Sequence, residues 1–255
     1  MRLIALIIFS MVLASCATTQ TVSENADGSN GRIARNPEAA KINIQLGANY
    51  IATGQYQLAD DKLKKAFKQD PKSSIARWTY AIMQEQLEQF DVAEEYYKKA
   101  LAIDPNDSKG QYSYASFLCR NKRYNEADKH FKKALSNPLY SAREVTSLNA
   151  GVCAMEIPDY QSAQIYFSEV IRLNPRNRVA LYQLAKSHFL QNDFGTSQSY
   201  LRDFEEVSQH TAQSLWLAFR TERGLGNNRI AQSYAKLLNN QFPESKEAEQ
   251  LARLN

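Results

Sequence analysis

The sequence predicts an all-α fold, a right-handed superhelix built from six stacked helical repeats and closed by a C-terminal capping helix. An alanine recurs from Ala59 to Ala231 at spacings of 34, 34, 36, 34 and 34 residues, with Ser197 in its place at the fifth copy. An aromatic residue precedes each of the first five copies by three residues, and a proline follows four of the six by twelve. A period of 20 to 50 residues indicates a solenoid, in which each unit buries its apolar face by stacking on the next.

Each repeat is predicted to form two amphipathic helices joined by a short turn. With Ala40 as position 1, the six units begin at Ala40, Ser74, Ser108, Glu144, Arg178 and Ala212. Apolar residues recur at helical spacing in both halves of a unit, and the prolines lie just past the second helix, where they end it. Position 8 is small in the first five repeats, so the two helices can approach closely, and position 24 is bulky. This is the pattern of the tetratricopeptide repeat.

The pattern weakens toward the C-terminus. Position 32 of repeat five is Gln209 in place of proline, and position 8 of repeat six is Phe219. Residues 244–254 predict a last helix with a polar face, which suits a cap. Two extra residues after repeat three fall near Tyr140 to Arg143. We therefore expect one six-repeat domain over residues 40–255.

The N-terminal residues carry a targeting signal. Leu3 to Leu13 is an apolar run of eleven residues, which is the length of a signal-peptide core and too short to span a bilayer. It ends in Leu13-Ala14-Ser15-Cys16, which resembles the lipobox of bacterial lipoproteins. The resemblance implies a signal peptide over residues 1–15 and lipidation of Cys16. The alternative is an ordinary secretory peptide with a chance cysteine.

The resemblance to lipoproteins also implies a location. Ala17 follows the cysteine where an aspartate would retain a lipoprotein in the inner membrane. We therefore expect the chain to be held in the outer membrane by its N-terminal lipid, facing the periplasm. Residues 16–39 are rich in small and polar residues without apolar periodicity, which predicts a lipidated N-terminus followed by a flexible tether.

Composition and motifs argue against several function classes. The 31 Lys+Arg and 27 Asp+Glu residues give a net charge of +4 that is spread along the chain without a basic block, so we expect no nucleic-acid partner. The three histidines, His130, His188 and His210, lack metal-ligand spacing, and the chain has no Gly-rich phosphate loop and no GxSxG elbow. We expect neither an enzyme nor a metal, a cofactor or a small-molecule substrate.

The first helices of the repeats are expected to line a concave face that binds a partner. The inward positions 2, 5, 9 and 12 are strongly apolar, which favours a hydrophobic helix or extended peptide as the occupant. The predicted groove residues are Ile44, Ile51, Ile75, Trp78, Ile82, Tyr112, Val145, Leu148, Val152, Met155, Tyr182 and Phe189. Trp78 and Tyr112 are the expected anchors, since aromatic residues dominate binding hot spots, and their substitution is expected to leave the fold intact. The alternative is that superhelical twist buries several of these residues between neighbouring units.

The groove lacks the carboxylate clamp of chaperone-type repeats. Those repeats grip a C-terminal carboxylate with lysine at position 5 and asparagine at position 9, whereas repeat one has Ile44 and Ala48 and repeat two has Trp78 and Ile82. Recognition of an acidic tail is therefore disfavoured.

Two cysteines lie on neighbouring first helices in a compartment that permits disulfides. Cys119 and Cys153 are 34 residues apart, at positions 12 and 10 of repeats three and four. We expect them to form a disulfide, and the alternative is a pair of buried free thiols.

Several stretches resemble the type IV pilus biogenesis and stability lipoproteins, the pilotins of the pilus secretin. They are YASFLCRNKRYNEADKHFKKAL from Tyr114, PLY from Pro138, NAGVCAM from Asn149, SLWLAFR from Ser214 and the last stretch from Asn240 to Leu251. The resemblance implies a lipoprotein that binds secretin subunits in the periplasm and helps them reach the outer membrane and assemble into a multimer. The alternatives are a general periplasmic scaffold for outer-membrane protein assembly or cell-wall enzymes, and a regulatory subunit of an enzyme.

Overall fold

The computed structural model describes residues 35–254, which form thirteen α-helices. The predicted signal peptide, Cys16 and most of the predicted tether lie outside these residues. In chain order the helices are α1 Pro37–Ala52, α2 Tyr56–Gln69, α3 Ser74–Gln86, α4 Phe90–Ile103, α5 Ser108–Arg120, α6 Tyr124–Leu135, α7 Arg143–Met155, α8 Tyr160–Leu173, α9 Arg178–Leu190, α10 Phe194–Val207, α11 Ala212–Gly224, α12 Asn228–Gln241 and α13 Lys246–Ala252.

The first twelve helices pair into six successive hairpins, which confirms the all-α superhelix of six tetratricopeptide repeats. Each odd-numbered helix packs against the even-numbered partner of its own repeat and against the odd-numbered helices of the neighbouring repeats. The odd helices therefore line one continuous face, and the even helices form the other. Helix α13 packs on α11 and α12, where it covers the last repeat as the predicted cap.

Helix α1 begins three residues earlier than the sequence predicted. Asn36 caps it by accepting a hydrogen bond from the Ala39 amide at 3.0 Å, and Pro37 occupies the first turn, where a missing amide hydrogen costs nothing. The Arg35 side chain then pairs with Asp70 at the end of α2, at 2.8 Å. Residues 37–39 are thus helical, where the sequence had suggested a tether.

The core of each repeat is a contact between position 8 and position 24. A Cβ atom added to Gly47 would lie 2.8 Å from Leu63, and one added to Gly151 would lie 2.6 Å from Phe167, so each glycine makes room for its bulky partner. Repeat six reverses the sizes, because Phe219 at position 8 belongs to the same cluster as the small Ala235 at position 24. The apparent degeneracy of that repeat is therefore an exchange of volumes that keeps the contact filled.

The turn inside a repeat depends on position 15. In five repeats this residue has a left-handed backbone with φ between 59° and 78°, and it is Gly54, Glu88, Lys122, Asn192 or Gly226. In repeat four the residue is Pro158, whose ring fixes φ at a negative value. Helix α7 therefore ends at Met155, and a different turn leads to α8, with the Asp159 amide bonded to the Ile157 carbonyl at 2.7 Å.

The two-residue insertion after repeat three is fastened to the stack. Tyr140 is buried and its hydroxyl accepts a hydrogen bond from Thr146 at 3.3 Å. The Arg143 guanidinium donates to the carbonyl of Leu135 at the end of α6, at 2.7 Å, and to that of Asn137 just beyond it, at 3.1 Å. The longer connection is thus an ordered turn.

A half-buried carboxylate ties repeats two and three together. Glu94 on α4 accepts hydrogen bonds from the Tyr114 hydroxyl at 3.0 Å and the Arg123 guanidinium at 2.7 Å, and it pairs with Lys98 at 2.7 Å. Burial on its own raises the pKa of Glu94, but the hydrogen bonds from Lys98, Arg123 and Tyr114 outweigh it and lower the pKa to about 2. The carboxylate is therefore ionised at neutral pH and stabilises the junction.

Candidate partner-binding groove

The concave face carries an unbroken column of large apolar side chains at position 5. Every member is half-buried, so each offers part of its surface to a partner while the rest supports the stack. The column consists of Ile44, Trp78, Tyr112, Leu148, Tyr182 and Trp216. The sequence predicted the first five and missed Trp216, although the same register continued into repeat six would have found it.

The polar atoms of the two predicted anchors are already engaged between repeats. The Trp78 indole nitrogen donates to Asp107 at 2.8 Å, and the same carboxylate caps α5 by accepting from the Lys109 and Gly110 amides at 3.1 Å. The Tyr112 hydroxyl accepts from the Asn149 amide nitrogen at 2.7 Å. Both residues join neighbouring repeats, so we expect their substitution to cost stability as well as groove surface, and whether the fold tolerates it stays a prediction. Their ring surfaces remain part of the groove.

The most accessible groove residues lie at positions 2 and 9. Ile75, Val145 and Val152 are 47%, 45% and 37% exposed, so their side chains are open to a partner. Three other predicted groove residues outside the position 5 column are half-buried and pack against core clusters beneath them. They are Ile51, Ile82 and Met155. The groove floor is thus shared with the core, as the alternative of burial between repeats expected for several of these residues, and binding of a partner stays a prediction.

Phe189 belongs mainly to the core, although a small part of its surface lines a cleft of the concave face. It is 9% exposed, its ring lies 5.5 Å from the Phe194 ring, and the Arg220 guanidinium covers it at 4.4 Å. Position 12 turns toward the following repeat, so the large side chain is buried against α10 and α11.

The C-terminal end of the groove is more polar than the rest. Lys186 and Arg220 occupy position 9 of repeats five and six, where the four earlier repeats carry Ala48, Ile82, Ser116 and Val152. Glu247 of α13 faces this region, and together with burial, which has the larger effect, it raises the pKa of Tyr182. The prediction of an apolar groove leaves these charged residues out, because they break the apolar pattern of the inward positions.

A disulfide joins Cys119 on α5 to Cys153 on α7 in the structure. Their Cα atoms are 5.9 Å apart, within the usual range for a disulfide. The bond links two odd helices at the repeat junction that contains the two-residue insertion, so it fixes the groove wall where the period changes.

The histidines take part in local contacts. His130 lies 2.6 Å from Gln111, and burial, with a smaller contribution from Lys133, lowers its pKa. His188 and His210 contact Asp193 and Glu205 at 3.0 and 3.4 Å. Among residues 35–254 no group of three or more histidine, cysteine or acidic side chains is placed to hold a metal ion. Within the same residues no helix combines the length and the apolar character needed to cross a membrane.

Two family models match the chain. The model described as the middle TPR-like domain of cilia and flagella-associated protein 70 matches residues 78–219, and a tetratricopeptide-repeat model matches residues 44–108. Together they span the first five repeats and the beginning of the sixth.

The relatives include proteins of type IV pili. The chain is 28% identical over 210 residues to the type IV pilus assembly protein PilF of Pseudomonas aeruginosa, which covers 82% of this chain and 83% of PilF. The solved structure of P. aeruginosa PilF superposes with a TM-score of 0.71 over 86% of this chain and 98% of the other, at 28% identity. PilW, described as a widely conserved type IV pilus biogenesis factor, gives a TM-score of 0.69 over 85% of this chain and all of the other, also at 28% identity. The tetratricopeptide-repeat protein YrrB shares the fold at 18% identity, with a TM-score of 0.67 over 75% of this chain and 97% of the other.

Proposed function

Because the chain belongs to the tetratricopeptide-like family matched over residues 78–219 and is a PilF/PilW-like protein, we propose that it acts in type IV pilus biogenesis as a secretin-binding lipoprotein. The observation that carries the pilus role is the similarity itself, which extends over four fifths of both chains. We propose further that it binds secretin subunits in the periplasm and promotes their localisation to the outer membrane and their assembly into multimers.

The groove supports the secretin part of the proposal. A pore subunit in transit exposes apolar surface before it oligomerises, and a concave face with half-buried aromatic side chains and exposed Ile75, Val145 and Val152 can cover such surface. A partner segment that lies along the position 5 column would gain contacts from every repeat, with Trp78 and Tyr112 held rigidly by their own hydrogen bonds.

The lipobox-like residues before Cys16 support an outer-membrane anchor. Each methylene of an acyl chain that enters the bilayer contributes about 0.8 kcal/mol, so two or more chains on one cysteine would hold the protein stably. A chaperone attached to the membrane raises the local concentration of the subunits that it binds. Replacement of Cys16 by Ser should abolish incorporation of labelled palmitate and release the protein from the outer-membrane fraction. Unchanged fractionation would contradict the anchor.

The groove is tested by two variants that place charges on opposite faces of the stack. The double variant Val145→Asp/Val152→Asp places charges on the concave face, and Ile165→Asp places one on the even helix α8, where Ile165 is 65% exposed. All three residues are accessible, so each variant should keep the helical content of the wild type. We expect the groove variant to reduce secretin multimers on non-denaturing gels and surface pili in cells, and Ile165→Asp to leave both unchanged.

Two outcomes would change the proposal. Wild-type multimer levels in the groove variant would remove the concave face from the mechanism. A deletion strain that keeps its pili but loses envelope integrity would favour the alternative of a general periplasmic scaffold for outer-membrane proteins or cell-wall enzymes.

A further inference from the structure

Two adjoining clefts mark the C-terminal end of the concave face. Each has a volume of about 310 Å³, and both are bounded by α9 and α11. Tyr182, Gln183 and Gln213 line both clefts, so the two form one continuous depression. Glu247 of the capping helix lies at one end of this depression and Arg178 at the other. We call it the C-terminal cleft.

The C-terminal cleft carries cations that have no ion-pair partner within the described part of the chain. Neither Lys186 nor Arg220 forms a salt bridge with a carboxylate between residues 35 and 254, whereas Arg120 on α5 and Arg143 on α7 do. Arg178 adds a third positive charge, and Glu247 is the acidic residue that lines the cleft. The local balance is positive, which favours an anionic ligand.

Arg220 is held in a position suited to bind a carboxylate. Its guanidinium lies over the Phe189 ring at 4.4 Å and within 5.7 Å of the Trp216 ring centre. These cation–π contacts hold the guanidinium beside the two rings, and its N–H donors match the two oxygens of a carboxylate. Lys186, one repeat earlier at the same position, supplies a second cation along the groove.

Gln183 provides an unused hydrogen-bond acceptor in the same place. Its Oε1 atom is buried and has no partner within residues 35–254. A buried acceptor without a donor costs free energy, and a ligand N–H group would remove that cost once the Gln183 side chain turns its oxygen into the cleft. The backbone of an extended peptide offers such groups at regular intervals.

We propose that the C-terminal cleft binds an extended segment of the partner in which a carboxylate lies next to an apolar side chain. The apolar side chain packs on Tyr182 and Trp216, the carboxylate pairs with Arg220 and Lys186, and a backbone N–H donates to Gln183. The inference rests on the proposed function, because it assumes that the concave face receives a partner, and it adds the chemistry of one end of that partner. The carboxylate belongs either to an acidic side chain or to a chain terminus.

The test uses three fluorescein-labelled octapeptides of valine, serine and one phenylalanine with the full chain. The first has a free C-terminal carboxylate beside the phenylalanine, the second is amidated and has a glutamate there, and the third is amidated and has a glutamine. Binding is followed by fluorescence anisotropy. We expect at least one carboxylate peptide to bind roughly tenfold more tightly than the glutamine peptide, as one charge-assisted bidentate contact provides. The preferred source of the carboxylate is read from the first two peptides.

Substitutions assign the preference to the cleft. The double variant Lys186→Gln/Arg220→Gln should bind all three peptides equally. The variant Arg220→Lys should keep part of the preference for a carboxylate, because it retains the positive charge but loses the paired N–H donors of the guanidinium. Lys129→Gln, which removes an exposed cation from the even helix α6, serves as the matched control and should change nothing. Equal affinities for the three peptides, no binding at all, or a preference that survives in the double variant would overturn the proposal.

The outcomes separate this inference from the proposed function. If Val152→Asp weakens all three peptides while the double variant has no effect, the groove stands and the carboxylate site is wrong. If the carboxylate preference depends on Arg220 but the groove variants assemble normal secretin multimers, the site stands and the secretin assignment is wrong.

Discussion

The substitution Gly151→Ala tests how closely the helices of a repeat approach. An alanine Cβ at this site would lie 2.6, 2.8 and 2.8 Å from three atoms of the Phe167 ring. Ordinary Cβ contacts begin at 3.4 Å, so the shortest of these distances falls 0.8 Å short, which is 3.4 minus 2.6. The ring is completely buried and rigid, so it cannot move aside without shifting α7 and α8 apart.

The expected magnitude follows from two opposing effects. Overpacking a core by one methyl group costs about 1 to 3 kcal/mol, whereas alanine is favoured over glycine inside a helix by up to about 1 kcal/mol. Repeat three packs Ala115 and Phe131 in one buried cluster, so a wider spacing is available to this architecture and limits the strain. We expect Gly151→Ala to lower the free energy of unfolding by about 1 to 2 kcal/mol.

Two further glycines calibrate the result. Gly195 in α10 has no atom within 4 Å of an added Cβ, so Gly195→Ala should leave stability unchanged or raise it slightly. At Gly47 the added Cβ would meet the Leu63 side chain at 2.8 Å, and because leucine can change rotamer the loss should be smaller than at Gly151. Phe167→Leu in the Gly151→Ala background should recover part of the loss.

Urea denaturation followed by circular dichroism measures the series. The slopes of the transitions must be compared first, because repeat arrays unfold in one step only when their units are strongly coupled. A Gly151→Ala midpoint at or above that of the wild type would refute the argument. So would a midpoint equal to that of Gly195→Ala, since helix propensity alone would then explain both.

Three other predictions follow from the stack. The Cys119–Cys153 bond closes a loop of 34 residues, so its reduction in a Cys16→Ser background should lower the free energy of unfolding by about 4 kcal/mol by the chain-entropy model. In the same background the Cys119→Ser/Cys153→Ser variant should not respond to reductant. Equal unfolding midpoints with and without reductant in the protein that keeps both cysteines would contradict this prediction. Because the pKa of Glu94 is lowered in the folded state, the stabilisation from its carboxylate is complete above pH 4.5 and is lost as the pH falls toward 2. The wild type should therefore lose more free energy of unfolding between pH 5 and pH 3 than the Glu94→Gln variant. Equal losses in the two proteins would contradict this prediction. Gly226→Ala should lower stability by about 1 kcal/mol because alanine disfavours the left-handed φ of 78°, whereas an unchanged thermal midpoint would exclude strain at that turn.

The period of the sequence predicted most of the fold because the buried contacts of a solenoid repeat with the chain. Helices α3, α5, α9 and α11 begin at the residues that the register assigned to position 1. Two deviations have local causes. Pro158 removes the left-handed turn of repeat four. Phe219 at position 8 exchanges volumes with Ala235 on the next helix, so position 8 considered by itself could not reveal that repeat six is packed like the others.

The groove was predictable in outline but not in detail, because exposure and hydrogen bonding depend on three-dimensional neighbours. The column at position 5 follows from register alone. Register alone does not predict that Trp78 donates a hydrogen bond to Asp107, 29 residues away, or that Phe189 is buried beneath Arg220. These contacts cross from one repeat to the next, and their partners lie at positions where the repeats differ.

The residues that stabilise the stack and the residues that distinguish its partner follow opposite rules. A core position must be filled in every repeat, so its residues recur with the period, as Ala59 and its five equivalents do. A binding position is under no such requirement, and position 9 changes from alanine in repeat one to lysine and arginine in repeats five and six. Absence of a carboxylate clamp in repeats one and two therefore excludes that site only there. Lys186 and Arg220 depart from the position 9 column at the end next to the cap. We therefore expect the apolar middle of the groove to provide the affinity for the partner segment, and the C-terminal cleft to fix the position of that segment along the groove. Groove variants and cleft variants should then weaken binding by independent factors.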